Sequence, residues 1–215
     1  GKEKYSDAEV EVGVMGAVCS DVGGEVAVAL GGVVHLLSGR QTEHGAQLAM
    51  GLIIATIPVI VFGLFLSLTG LDDALRSIAV IGWTMLIFGV VLYWADQKGP
   101  RERSAESWSY RHALIMGLWQ AIALIPGTSR SGITITSARL LGYDRESAAR
   151  LSMLMSIPTI IASGVLLGSE VISTADAETA RNGAIAAGYA FVAALAALTI
   201  MMRLLRTVSF TPYVI

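Results

Sequence analysis

The chain has 215 residues, of which 54% are hydrophobic and 15% are charged, with a formal net charge of −2. Soluble domains carry roughly 25% charged residues, so this composition excludes an ordinary soluble protein and indicates an integral membrane protein. No nucleic-acid partner is expected. The single cysteine, Cys19, excludes an intrachain disulfide.

A single all-α transmembrane domain is predicted over residues 1–215, and its first segment, residues 1–44, is the least clearly patterned. Apolar residues dominate between 10 and 37, but glycines and acidic residues interrupt them. Neither half of this stretch reaches the ~20 apolar residues that a perpendicular span needs. We therefore expect one or two short helices here, preceded by a charged start without the apolar core of a signal peptide.

The second segment, residues 45–109, contains two predicted spans and a polar loop. The first span covers 45–68 and carries Pro58, which predicts a kink. The second covers 75–94, and its aromatic residues suit the membrane interface. Residues 95–109 form the loop.

The last segment, residues 144–215, contains two further predicted spans. They cover 147–171, with Pro158 inside, and 183–205, which is rich in alanine. Small residues on the latter favour close contact with a neighbouring helix. The complete prediction is thus a polytopic membrane protein.

Residues 110–143 form a broken-helix hairpin in this interpretation. Two apolar arms, 110–125 and 133–143, flank the polar stretch Pro126-Gly127-Thr128-Ser129-Arg130-Ser131-Gly132. Proline and glycine break a helix, and the exposed backbone is tolerated at membrane depth only beside a cavity or inside protein. The leading arm would rise about 24 Å, which is less than the ~30 Å hydrocarbon core.

Basic residues indicate that this hairpin is re-entrant from the cytoplasmic side. If it enters and leaves by one face, ten basic residues share that face and two lie opposite, a strong positive-inside bias. A full crossing would remove the bias. The ten are Arg40, Lys98, Arg101, Arg103, Arg111, Arg139, Arg145, Arg150, Arg203 and Arg206, and the two are Arg76 and Arg181.

The tip of the hairpin has the composition of a phosphate site. The second half-helix is expected to begin at Ser131 or Gly132, and its free N–H groups and dipole favour an anion. Arg130 adds a planar guanidinium that matches phosphate, while Ser129, Ser131 and Thr134 add hydroxyls. Alternatively, the hydroxyls satisfy a broken backbone and Arg130 snorkels or forms an ion pair.

The hairpin supplies no obvious general base. His112 precedes Pro126 by about 21 Å of helix, and Asp144 and Glu146 follow the far arm, where a solvated turn is expected. Gln120 lies two turns before Pro126 and is a candidate hydrogen-bonding residue, but an amide is not a base. A base or a metal carboxylate must come from another segment.

The residues Gly117-Leu118-Trp119-Gln120 and the stretch from Pro126 to Gly132 together resemble the second signature of a bacterial family. It is the undecaprenyl-diphosphate phosphatase family, also called the bacitracin-resistance protein family. The resemblance covers roughly residues 45–215. It implies half of an inverted-repeat architecture, with a re-entrant helix pair in each repeat.

The resemblance also implies a function and a site. Family members are multi-pass phosphatases of the bacterial inner (plasma) membrane that convert undecaprenyl diphosphate to the monophosphate for peptidoglycan synthesis. Ser129 and Arg130 match catalytic positions, and a divalent cation, Mg²⁺ or Ca²⁺, is implied without ligands identified in this chain. The residues expected to bind the polyprenyl diphosphate are Gly127, Thr128, Ser131, Gly132, Thr134 and Gln120. A homodimer is an open alternative to the monomer.

The family's first signature has no counterpart here. It places two glutamates four residues apart before a Pro-Val-Ser-Ser-Thr-Gly-His run, whereas this chain offers only Asp21, Glu25 and His35 at similar separations. The expectation is a member that lacks this motif through truncation, an altered start or a fragmentary gene. Two other functions stay open: a non-hydrolytic polyprenyl-phosphate binder or translocator, and a secondary transporter for small anions.

Overall fold

The computed structural model describes residues 23–38, 44–71, 75–172, 177–205 and 210. Within these ranges the chain is all-helical, apart from one isolated bridge between Arg103 and Tyr143. The predicted all-α fold is confirmed. The helices are α1 (Gly23–Leu37), α2 (His44–Thr69), α3 (Ile78–Lys98), α4 (Tyr110–Ile122), α5 (Arg130–Leu140), α6 (Arg145–Ile172) and α7 (Ala177–Leu205), with a 3-10 turn at Ala105–Ser107.

Helices α2 and α3 are long and apolar enough to cross a bilayer, and they correspond to the predicted spans 45–68 and 75–94. Only 33% and 11% of their most apolar windows are buried, whereas a core helix of a soluble protein is mostly buried. Ile78 is 90% exposed and Trp83 is 65% exposed. Surface of this kind suits lipid, and the chain is therefore a membrane protein.

The predicted hairpin consists of α4, with 13 residues, and α5, with 11 residues. At 1.5 Å per residue the arms are about 20 and 17 Å long, too short to cross the ~30 Å core. His112 Nδ1, near the start of α4, lies 2.7 Å from the hydroxyl of Tyr143, which follows α5. The arms therefore run antiparallel, and the chain enters and leaves the hairpin on one side.

The start of α5 differs slightly from the prediction. The helix begins at Arg130 rather than at Ser131 or Gly132, because the Ser129 side chain accepts a hydrogen bond from the Gly132 N–H at 3.2 Å. Serine is a favoured N-cap residue, and its hydroxyl satisfies one of the N–H groups that a helix start leaves open.

The hydrophobic core lies where α2 and α6 pack against the hairpin. Helices α2 and α4 approach so closely that a Cβ atom at Gly117 would overlap the carbonyl of Ala55. On the other side, Leu151 and Met155 of α6 are fully buried. The arms of the hairpin are thus fixed between two long helices.

Asp96, near the end of α3, is fully buried and joins three parts of the fold. Arg145 donates to both of its carboxylate oxygens at 2.7 and 2.8 Å, and Arg139 Nε donates to Oδ1 at 3.3 Å. The backbone N–H of Phe210 donates to Oδ2 at 3.2 Å. Residues 95–98 were expected in a loop. Instead α3 continues to Lys98, because these hydrogen-bond partners stabilise Asp96 in a buried position.

Asp144 was expected in a solvated turn, and it lies partly exposed between α5 and α6. Its carboxylate accepts hydrogen bonds from the backbone N–H and the hydroxyl of Ser147, at 2.8 and 2.9 Å. Asp144 therefore caps the N-terminus of α6. Glu146 pairs with Arg150 at 3.6 Å on a partly exposed surface.

Candidate functional site

The tip of the hairpin is a compact loop between α4 and α5. Its first residues continue α4 as tighter turns, since the N–H groups of Ala123, Leu124 and Ile125 each donate to the carbonyl three residues earlier, at 3.0 to 3.2 Å. Gly127 then reverses the chain with a φ of +89°. A side chain is strained at this angle, so glycine is required by the backbone.

Helix α3 supports this loop from the side. The hydroxyl of Thr84 donates to the Pro126 carbonyl at 2.7 Å. A Cβ atom at Gly127 would lie 2.5 Å from the carbonyl oxygen of Ile81, which is too close for any larger residue. The loop is therefore pressed directly against the backbone of a membrane-spanning helix.

The N-terminus of α5 opens beside this loop. Ser129 and Ser131 are both exposed, and their hydroxyl oxygens lie 3.3 Å apart. The positive end of the helix dipole is located at the same place. Two hydroxyls and a helix N-terminus that face one opening form an arrangement suited to a phosphate.

A cavity of about 370 Å³ lies between this turn and α3. Four of the predicted site residues line it: Gly127, Ser129, Ser131 and Gly132. The rest of the lining is apolar and was not predicted as part of the site. It consists of Met85, Phe88, Gly89 and Leu92 of α3, with Met201 of α7, Phe210, and Ile133 and Ile135 of α5.

The other four predicted residues do not line this cavity. Arg130 is partly buried. Thr134 is 1% exposed, and its hydroxyl contacts Ser152 on α6 at 2.6 Å. The amide of Gln120 donates to the Thr159 hydroxyl at 2.9 Å.

Two of these four predicted residues, Gln120 and Thr128, each have one buried polar atom that makes no hydrogen bond in the described structure. Gln120 Oε1 and the hydroxyl of Thr128 have no hydrogen-bond partner among the described residues. Sequence reasoning placed Gln120 two turns below the tip, and the structure agrees, but its amide turns toward α6. Its contact with Thr159 had no signal in the local sequence, because the two residues are 39 positions apart.

None of the described residues that line the cavity is a carboxylate. In the described part of the chain, no three His, Cys, Asp or Glu residues lie close enough to hold a metal ion. Asp21, Glu25 and His35 were the residues at separations similar to those of the family's first signature. Glu25 pairs with Arg150 at 3.0 Å. Asp21 lies outside the described residues. The described residues therefore do not fit a divalent cation by themselves.

His112 lies at the base of the hairpin, away from the tip and outside the spans α2 and α3. Arg103 Nη1 lies 2.9 Å from its Nε2. Burial, and then the charges of Arg103 and Arg111, lower the pKa of His112 below its usual value. Because a guanidinium only donates, neutral His112 accepts at Nε2 and carries its proton on Nδ1, toward Tyr143.

Known proteins provide an independent comparison with this geometry. Residues 2–215 match the family model described as bacitracin resistance protein BacA. The chain belongs to the BacA family.

Several curated relatives of this BacA family member carry the name undecaprenyl-diphosphatase. Relatives from Jannaschia sp. (strain CCS1) and Dinoroseobacter shibae are each 68% identical over 209 residues, which is 97% of this chain and 78% of theirs. A relative from Chromohalobacter salexigens is 41% identical over 211 residues, with the same two shares. These matches confirm the resemblance that the tip residues suggested.

The cavity at the hairpin tip is the candidate site of this BacA family member. This cavity combines a polar end, formed by the N-terminal turn of α5, with an apolar wall on α3. The wall residues 85, 88, 89 and 92 follow helical spacing, but α3 is apolar on every side, so the pattern alone could not separate a cavity wall from a lipid-facing surface.

Proposed function

We propose that this chain is an undecaprenyl-diphosphate phosphatase, which hydrolyses the phosphoanhydride bond of the lipid to give the monophosphate and inorganic phosphate. The observation that carries the proposal is the cavity at the hairpin tip, where hydroxyls and a helix N-terminus face an apolar wall. Such a site accommodates a charged headgroup at one end and an isoprenoid chain at the other.

The proposed roles follow from position and chemistry. Ser129 and Arg130 act in catalysis: the serine hydroxyl contacts a phosphoryl oxygen, and the guanidinium neutralises charge that develops during bond cleavage. Ser131 and the backbone at Gly127 and Gly132 bind the diphosphate. Thr128, Thr134 and Gln120 stay predictions as substrate-binding residues, and their burial favours support of the loop over direct contact.

The requirement for a divalent cation is part of this proposal. Diphosphate oxygens and Mg²⁺ or Ca²⁺ are hard partners, and the carboxylates would come from residues outside those that line the cavity. A chelator is expected to suppress phosphate release, and added Mg²⁺ or Ca²⁺ is expected to restore it.

The proposed location is the bacterial inner membrane, with several crossings. The apolar exteriors of α2 and α3 support this assignment, as does the excess of basic residues on one side of the re-entrant hairpin. The lipid substrate would then reach the cavity without leaving the bilayer. A homodimer stays a prediction.

The test is phosphate release from undecaprenyl diphosphate by the purified chain in detergent or liposomes. We expect Arg130→Ala to reduce the rate by about a hundredfold or more, as removal of a charge-stabilising donor does elsewhere. Arg203→Ala, at an exposed position on α7, is the matched control and should leave the rate unchanged. Equal rates for the two variants would contradict the assignment of Arg130.

A second function is favoured by one observation: none of the described residues that line the cavity is a carboxylate. In that case the chain binds or translocates polyprenyl phosphates without hydrolysis. Binding of the lipid without phosphate release, even with Mg²⁺ or Ca²⁺ present, would support this alternative and exclude the phosphatase.

A further inference from the structure

Helix α6 presents a row of hydroxyls along the side that packs against the hairpin. Ser152, Ser156 and Thr159 follow one another at intervals of four and three residues, which places them on one face of the helix. Ser152 is 5% exposed and Ser156 is 8% exposed. Hydroxyls buried at this depth need hydrogen-bond partners.

Two members of this row contact the two arms of the hairpin. Ser152 lies 2.6 Å from the hydroxyl of Thr134 on α5. Thr159 accepts a hydrogen bond from Gln120 on α4 at 2.9 Å. Ser156, between them, donates to the carbonyl of Met153 in its own helix at 2.6 Å.

The direction of the Ser152 hydrogen bond follows from the number of protons available. Each hydroxyl has one proton. Thr134 lies 2.9 Å from the carbonyl of Arg130 and 3.1 Å from that of Ser131, and its one proton is shared between these two acceptors. Ser152 therefore donates to Thr134, since the Ser131 carbonyl, the other acceptor near its hydroxyl among the described residues, is 3.5 Å away.

This chain of hydrogen bonds ends at the first turn of α5. Its last acceptors are the carbonyls of Arg130 and Ser131, the residues that immediately follow the Ser129 cap. Linked hydrogen bonds of this kind polarise and strengthen one another. The position of the anion-facing turn is thus tied to α6 through two hydroxyls.

We propose that Ser152 is a positioning residue for the phosphate site, acting through Thr134 on the N-terminal turn of α5. This proposal rests on the proposed function of the same site. Ser152 does not line the cavity, so it affects the substrate only by holding Ser129, Arg130 and Ser131 in place. Displacements of about 1 Å at a reacting centre are enough to reduce catalysis strongly.

The first experiment compares Ser152→Ala with Ser156→Ala in the full chain. The two serines lie one turn apart on the same helix with similar burial, but Ser152 hydrogen-bonds to the hairpin whereas Ser156 donates within its own helix. We expect Ser152→Ala to lower kcat between about three- and tenfold, the range that one hydrogen bond supplies. Ser156→Ala should stay within about twofold of wild type. Equal effects of the two variants would overturn the proposal.

The second experiment tests whether Ser152 acts through Thr134. In the background of Thr134→Val, which keeps the shape and removes the hydroxyl, Ser152→Ala should have almost no further effect on kcat. Interacting residues show this non-additivity, whereas independent ones add. Additive losses in kcat would mean that Ser152 acts by another route and would overturn the proposal.

Amide hydrogen exchange separates this proposal from the proposed function. Ser152→Ala should speed exchange in the peptide that contains residues 129–134 and leave α2 unchanged, and Ser156→Ala should change neither. This result does not depend on phosphate release, so it stands even if the chain proves non-hydrolytic. Unchanged exchange at residues 129–134 in Ser152→Ala would refute the positioning role.

Discussion

The hydroxyl of Tyr143 lies 2.7 Å from Nδ1 of His112, and the two rings meet edge to face with centroids 5.6 Å apart. This contact joins the first turn of α4 to Tyr143, three residues after the end of α5. Beside it, the backbone N–H of Arg103 donates to the Gly142 carbonyl at 3.0 Å. The base of the hairpin is therefore closed by side chains and backbone together.

Tyr143→Phe removes this hydroxyl and should destabilise the folded protein by about 1 kcal/mol, the net value of one hydrogen bond. Thermal unfolding in detergent measures the effect. Tyr189→Phe is the control, because Tyr189 is 76% exposed and its hydroxyl can bond to solvent or lipid headgroups. A Tyr143→Phe variant as stable as Tyr189→Phe would show that the contact contributes nothing.

His112 should make stability depend on pH. Its pKa in the folded protein lies below the ordinary value of 6.5, so the unfolded chain binds more protons once the pH falls below that value. The free energy of unfolding therefore falls as the pH is lowered from about 7.5 to 5.5. In His112→Gln the fall between these pH values should be smaller. An identical pH dependence in both proteins would contradict this explanation.

Gly127→Ala should distort the tip. The φ of +89° disfavours any side chain, and the added Cβ atom would press on the Ile81 carbonyl. A cost of about 1–3 kcal/mol is expected for such strain, together with a loss of phosphate release. Gly82→Ala is the control on the adjoining helix, since a Cβ atom there meets nothing within 4 Å. Similar stability and activity in the two variants would argue against a fixed tip.

Asp96→Ala should be among the most destabilising single changes in the described part of the chain. It leaves the fully buried guanidinium of Arg139 without its counter-ion, and removing one partner of a buried pair costs about 3–5 kcal/mol. Glu25→Ala breaks the Glu25–Arg150 pair, in which both side chains are about one-third exposed. That change should cost less than about 1 kcal/mol, and unfolding in detergent should separate the two variants.

The sequence predicted the hairpin well because its signals are local. Pro126 and Gly127 break the helix wherever they occur, and the apolar arms are visible in the composition. The four residues predicted at the tip that line the cavity lie within six positions of one another. Local chemistry was enough to place them together.

The parts that the sequence did not predict depend on distant partners. The Ser152–Thr134 and Asp96–Arg139 contacts join residues 18 and 43 positions apart, and no local pattern distinguishes these residues from others of their type. Arg139 was interpreted only as one of many basic residues near the membrane surface. Its burial followed from a carboxylate on another helix, which spacing along the chain does not reveal.

The hydrogen bond from Thr84 to the Pro126 carbonyl gives the surrounding lipid a mechanical connection to the hairpin tip. Only 11% of the most apolar window of α3 is buried, and exposed hydrophobic helices accommodate a mismatch with the bilayer thickness partly by tilting. The loop at residues 126 and 127 is pressed against that helix and must follow it when it tilts. We therefore expect the thickness of the surrounding membrane to affect the geometry of the anion-facing turn.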